Sequence, residues 1–257
     1  MDLELTDRVV LVTGGSTGLG RALCHGLVAE GAKVAFCGRD PGHLAEAEAA
    51  LAAPEQVAAV PADVSDVADL ERFVGAALGR WGRIDGLVNN AGRSAAQRVE
   101  DLDDAAWESD LSLKLLAAAR LARLTIPHLR QTGGAIVNVL ALAAKAPGAG
   151  SAPSSVSRAA GMALTKALSK ELGADGIRAN AVLIGLAESG QWDRLAAARG
   201  IDVGDLYVTM ARDAGIPLGR VGRGEEFADL VCFLLSARAS YLSGIAVNFD
   251  GGLAPVV

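Results

Sequence analysis

Cysteine, histidine and tyrosine are scarce in this sequence. Its 257 residues include only three cysteines, three histidines and two tyrosines. Cys24, Cys37 and Cys232 are odd in number and far apart, which excludes a disulfide framework and any familiar metal-ligand spacing. No stretch of eighteen apolar residues exists, so no membrane span is expected. Charges are interspersed without a run of one sign, and the net charge of −6 disfavours nucleic acid or an anionic membrane as partner. The opening MDLELTDRVV is neither a signal nor a transit peptide, and the expected location is the cytoplasm. The segment 140–152 is mostly Ala, Gly and Leu, with no tyrosine, histidine or carboxylate.

What is present is pattern. Hydrophobic residues make up 51% and charged residues 21%, a globular composition. Short apolar runs alternate with longer helical spacings. Strands are expected at 8–12, 33–37, 57–60, 84–88, 135–139, 177–182 and 245–249. Helices are expected at 18–30, 41–53, 65–81, 103–129, 153–172 and 224–236, with Asp40 and Pro41 opening the second. Residues 189–215 read as a polar, helical flap. Near-continuously apolar strands separated by helices imply a doubly wound α/β domain: a parallel sheet of about seven strands with helices on both faces. No linker or repeat divides the chain, so 1–257 reads as one domain. Its ligand edge is where the strands end.

After the first strand comes Thr13-Gly14-Gly15-Ser16-Thr17-Gly18-Leu19-Gly20. Gly14 suits a tight turn, Gly18 a close backbone approach to a pyrophosphate, and Gly20 close packing of helix on sheet. At the end of the second strand, Arg39 precedes Asp40. An arginine there suits the 2′-phosphate, so NADP(H) is favoured over NAD(H), with Asp40 acting as the helix cap.

Together with Ala62-Asp63-Val64, Asn89-Asn90-Ala91-Gly92, Ile136-Val137-Asn138-Val139, Gly176–Val182 and Asp250-Gly251-Gly252, this loop resembles the short-chain dehydrogenase/reductase family over essentially the whole chain. The resemblance implies a Rossmann-type domain. Its cofactor residues would be Gly14, Ser16, Thr17, Gly18, Leu19, Gly20, Arg39, Asp63, Val64, Asn90, Ala91, Gly92, Arg158 and Gly185. Asp63 would meet the adenine, and Asn89 and Ala91 would line the pocket. The resemblance also implies a catalytic tetrad: a tyrosine, a lysine four residues later, a carbonyl-orienting serine, and an asparagine in the long central helix. In this register the tyrosine position is Ser154, which would face the nicotinamide. The lysine position is Arg158, the serine position Ala141 and the asparagine position Lys114. Ile184-Gly185 stands where the family has proline and glycine.

These side chains differ in kind from the family's. A phenol ionises near pH 10 and comes within reach of neutrality beside a cation, whereas a serine hydroxyl is a much weaker acid. Arginine stays charged and does not donate a proton at neutral pH. General acid–base help is worth about 10²–10⁴ in rate and oriented hydrogen bonding about as much again, so ordinary carbonyl reduction should be slower by several orders of magnitude. Tyr207, in the flap, is the candidate replacement acid, while Tyr241 reads as structural. His25, His43 and His128 are placed away from the strand ends, and Lys145 and Glu188 are taken as solvated loop residues. Lys114 needs a partner if buried, and Asp110 is one turn earlier. It is either half of a structural ion pair or a ligand-anchoring amine.

Three readings stand. The leading one is a redox-incompetent, cofactor-binding subunit that partners an active homologue. It would assemble as a homo- or hetero-oligomer through helices 103–129 and 153–172, with no metal. The second is an atypical enzyme: an NADP(H)-dependent oxidoreductase using Tyr207, or a lyase, cyclase or isomerase using Lys114, Arg158 and Ser154. The third is an NADP(H) or ligand sensor.

Overall fold

The structure, a computed structural model, describes residues 2–257, apart from the side chains of residues 191, 193 and 194. Seven strands form one parallel sheet: β1 (Val9–Thr13), β2 (Lys33–Gly38), β3 (Val57–Pro61), β4 (Gly86–Asn89), β5 (Ala135–Ala141), β6 (Arg178–Ile184) and β7 (Ala246–Phe249). Their order is β3-β2-β1-β4-β5-β6-β7, and every pairing is parallel. The direction of winding reverses between β1 and β4, which opens a crevice beyond their carboxyl ends.

The helices are α1 (Gly18–Ala29), α2 (Pro41–Leu51), α3 (Val67–Trp81), α4 (Asp104–Leu111), α5 (Ala117–Thr132), α6 (Ser154–Leu172), α7 (Gly190–Arg199), α8 (Val203–Ala214) and α9 (Gly224–Leu235). One core lies between the sheet and α1, α2 and α9, around Val12, Leu23, Phe36 and Phe227. The other lies between the sheet and α3, α5 and α6, around Leu11, Phe73, Leu121 and Leu168. Strands buried on both faces explain why their sequences are apolar without alternation. The Rossmann-type fold expected from the sequence is thus present.

One expectation needs correction. The helix expected at 103–129 is not uniform: a π turn, Ser112–Leu116, joins α4 to α5, and the helix runs on to Thr132. The segment 189–215 is helical, as expected, and divides into two helices, α7 and α8.

At the sheet's amino end, Asp85 is buried and accepts from Arg8, from Arg83 and from the Val9 amide. Burial raises its carboxyl pKa, but the Arg83 hydrogen bonds, the Val9 amide and Arg8 outweigh that and hold it below the usual range. All three cysteines are buried and free, and burial pushes the Cys37 and Cys232 thiols up to about 12, which makes them inert packing groups. Among the described residues no helix is long and apolar enough to cross a membrane, and no cluster of metal-ligating side chains exists.

Candidate functional site

A cleft of about 1240 Å³ opens at the carboxyl edge of the sheet. That exceeds the roughly 300–1,000 Å³ of a drug-sized pocket and leaves room for a dinucleotide. The glycine loop between β1 and α1 forms its floor. Gly14 and Gly18 have φ of +66° and +55°, conformations that L side chains rarely adopt. A Cβ on Gly20 would stand 2.1 Å from the Gly14 carbonyl oxygen, so only glycine lets α1 start this close to the loop.

The loop is pinned from β4. Asn90 Nδ2 donates to the carbonyls of Thr13 (2.9 Å) and Gly14 (3.2 Å), while Thr13 Oγ1 accepts the amides of Asn90 and Ala91. The first turn of α1 has no capping side chain at Thr17 and no acidic residue. Its amides therefore point into the cleft without an intramolecular anion, the arrangement that receives a phosphate.

All fourteen expected cofactor residues, Gly14 to Gly20 through Gly185, line this cleft. Asn89 does not. Successive strand side chains alternate faces, so Asn90 turns to the loop while Asn89 Nδ2 donates inward to Asn138 Oδ1 at 2.8 Å. Asn89 Oδ1 is buried without a partner against an internal cavity of about 20 Å³, room for roughly one water.

The side chains of Lys114 and Ser154 lie behind the cleft wall and are not among its lining residues. Lys114 Nζ donates to Asp110 Oδ1 and to Ser154 Oγ, the latter at 2.7 Å, with all three side chains buried. Ser157 Oγ donates to the other Asp110 oxygen at 2.6 Å. Ser154 Oγ also accepts the Ala95 amide at 3.0 Å, and the Gln97 amide donates to the Ala152 carbonyl at 2.7 Å. This network ties α4, the π turn, α6 and the loop 92–98 together. Burial lowers the Lys114 pKa, the Asp110 hydrogen bond opposes that, and the neighbouring Arg158 charge lowers it further. Ser154, expected to face the cleft, is instead an interior hydroxyl, held there by the Lys114 ammonium and the Ala95 amide.

Arg158 does reach the cleft. Its Nη1 donates to the Val139 carbonyl at 2.9 Å, and a Cβ on Gly92 would stand 3.0 Å from Nη2, so that glycine makes room for the guanidinium. Around it the ends of β5 and β6 present Val139, Leu140, Ala141, Ile184, Gly185, Leu186 and Ala187.

Tyr207 is not among the lining residues. Its ring packs against the buried cluster of Ala211, Ile216 and Val221, and its hydroxyl oxygen accepts the Ser189 amide at 3.2 Å. Tyr241 is fully exposed rather than packed. Lys145 is not merely solvated: its Nζ donates to the Ala246 carbonyl and to Asn248 Oδ1, both at 2.9 Å, fastening the loop after β5 to β7. Glu188 accepts the Gly224 amide at the start of α9.

The sequence reading missed several cleft residues. His43 lies at the cleft's end beside Arg39 and Asp40, contrary to its expected position, because it sits in the first turn of α2, right after β2 ends. Glu108 and Ser109 of α4, Arg93, and Trp192 of α7 also line the walls. No sequence signal marked them, since they converge only through the tertiary fold.

A family model described as enoyl-(acyl carrier protein) reductase matches residues 14–254. Sorbitol-6-phosphate 2-dehydrogenase of Klebsiella pneumoniae is 33% identical, covering 97% of each chain. A short-chain oxidoreductase of Pseudomonas aeruginosa PAO1, said to contain an atypical catalytic centre, is 35% identical; its apo form gives a TM-score of 0.93 over 98% of this chain and 99% of that one. Its NADPH-bound form gives 0.91. L-sorbose reductase of Gluconobacter frateurii, in complex with NADPH and L-sorbose, is 31% identical over the whole of both chains, with a TM-score of 0.93. With a family match over nearly its full length and relatives of the same extent and fold, the chain belongs to the short-chain dehydrogenase/reductase family.

Proposed function

We propose that this chain binds NADP(H) but does not run the family's proton-coupled carbonyl reduction, and that it serves as the redox-incompetent subunit of an assembly with an active homologue. The carrying observation is the wall formed by the ends of β5 and β6. It holds aliphatic side chains and glycine beside one arginine, with no phenol, imidazole or carboxylate among them. When bound, NADP(H) supplies hydride chemistry.

The chain's own residues account for binding and orientation. The open first turn of α1 receives the pyrophosphate, and Asp63 and Val64 flank the adenine. Arg39 meets the 2′-phosphate. Arg158 reaches the nicotinamide side with a charge it does not give up as a proton. None of the positions 114, 141, 154 and 158, read as Lys, Ala, Ser and Arg in place of the family's tetrad, puts a proton donor on the cleft surface: the Lys114 ammonium is acidic enough, but it and Ser154 lie behind the wall, engaged with Asp110 and the Ala95 amide. The NADPH bound by the Pseudomonas and Gluconobacter proteins supports the choice of cofactor. The oligomer of this reading would be built on helices 103–129 and 153–172.

Fluorescence titration with NADPH and NADH tests the cofactor half. Saturable NADPH binding, tighter than NADH, is expected, and binding of neither refutes it. Co-expression with homologues encoded nearby tests the other half. Co-elution in a defined ratio is the expected result, and a lone chain in every combination contradicts it.

A second reading, an atypical enzyme, is favoured by the relative said to have an atypical catalytic centre with NADPH bound. Turnover by the purified chain alone separates the two. The replacement set Lys114→Asn, Ala141→Ser, Ser154→Tyr and Arg158→Lys asks whether the pocket still accepts a carbonyl.

A further inference from the structure

Resting on the NADP(H) reading, we propose that His43 is the second cation of the 2′-phosphate end of the cleft, so that its protonation tightens NADP(H) and leaves NAD(H) unaffected. This end of the cleft is lined by Ser16, Gly38, Arg39, Asp40 and His43. β2 stops at Gly38, where a Cβ would stand 2.9 Å from Ser16 Oγ, so the hydroxyl lies directly against the strand end. Asp40 caps α2: its Oδ1 accepts the His43 amide at 2.9 Å, and its Oδ2 lies 4.0 Å from His43 Nδ1.

The local charge decides the matter. Arg39 contributes one positive charge and Asp40 one negative. With His43 neutral the two cancel; with His43 protonated the net charge is positive. Asp40 stays ionised throughout, its carboxyl held below the usual range by the His43 amide hydrogen bond against the opposing effect of burial, with the His43 ring adding to the first. Across the cleft, beyond β3, Asp63 is the other facing carboxylate, and its Oδ1 accepts the Ser65 amide at 2.8 Å. Glu46, one turn further along α2, is exposed, and the loop and first turn of α1 bring Ser16, Thr17, Gly18, Leu19 and Gly20 to the cleft, none of them charged. A phosphate arriving here at alkaline pH meets one cation, Arg39, with the Asp40 carboxylate next to it in sequence and Asp63 opposite. Histidine is the side chain that changes charge between pH 5 and 8, and it supplies the missing cation.

The experiment measures NADPH and NADH affinity by fluorescence from pH 8.5 to 6.0 at low ionic strength, for the wild-type chain, H43Q and H43K. The phosphate's own second ionisation, near pH 6, weakens NADPH equally in all three, so ratios between variants isolate the histidine. The wild type should gain about three- to fivefold in NADPH affinity over H43Q on going from pH 8.5 to 6.0, the size expected of an exposed charge pair. H43K should hold the tighter affinity across the whole range. The gain should shrink in high salt, and NADH should show none. Identical NADPH profiles for wild type and H43Q overturn the proposal and leave the NADP(H) reading standing. An equal gain for NADH also overturns it. Absence of NADPH binding at every pH overturns both.

Discussion

The side chain of Lys114 is 3% exposed and that of Asp110 is 2% exposed, so each depends on the other for its charge. Removing one leaves a buried ion without a counterion. Lys114→Ala should therefore cost about 3–5 kcal/mol of stability in urea unfolding. A cost below about 1 kcal/mol would mean that the pair is solvated. At the opposite edge of the sheet, Asp85→Asn should cost about 2 kcal/mol at neutral pH. A carboxyl lowered in the folded state contributes fully above its unfolded value and loses that contribution as pH falls through the folded one. The wild-type advantage should thus persist at pH 6–8 and vanish on acidification below the carboxylate range. A gap that stays constant down to low pH would show that Asp85 acts by shape alone. At this scale the sequence was partly legible. The spacing of Asp110 and Lys114 predicted their pairing, because residues four apart share a helix face. It did not reveal that Ser154 closes the network, since that contact spans 40 positions of chain.

Among the elements, the loop from β1 into α1 was the most legible, because its glycines answer to backbone geometry rather than to tertiary context. Gly20→Ala places a methyl group 2.1 Å from the Gly14 carbonyl oxygen, and should weaken NADPH binding at least about tenfold by forcing the helix off the loop. Gly79 of α3 has no neighbour within 4 Å of an added Cβ. There alanine should raise stability by about 0.5–1 kcal/mol, through helix propensity and a less flexible unfolded chain. Opposite signs at the two glycines would separate a required glycine from a tolerated one. The π turn at Ser112–Leu116 was not legible. It inserts its extra residue into an otherwise continuous helical run, and a 3.6-residue period reads straight across it. His43 was missed for a related reason. Helical spacing says which face of α2 is apolar, but not that the first turn of α2 stands over the end of β2.

For the whole molecule, the parallel sheet and the position of the cleft followed from the alternation of apolar strands and helices, since right-handed crossovers leave one edge for ligands. What that edge does chemically depends on which side chains reach it, and here tertiary structure decides. Arg158 reaches the cleft, whereas Lys114 and Ser154 are drawn into the interior by Asp110 and the Ala95 amide. On the proposed reading, Lys114 and Ser154 hold helices and loop together rather than deliver a proton to the cleft. The most direct test is the rate of NADPH oxidation by the purified chain alone, saturated with NADPH and given a panel of ketones and aldehydes. The account predicts turnover several orders of magnitude below the roughly 1–10³ s⁻¹ of ordinary enzymes. Turnover within that ordinary range would contradict it.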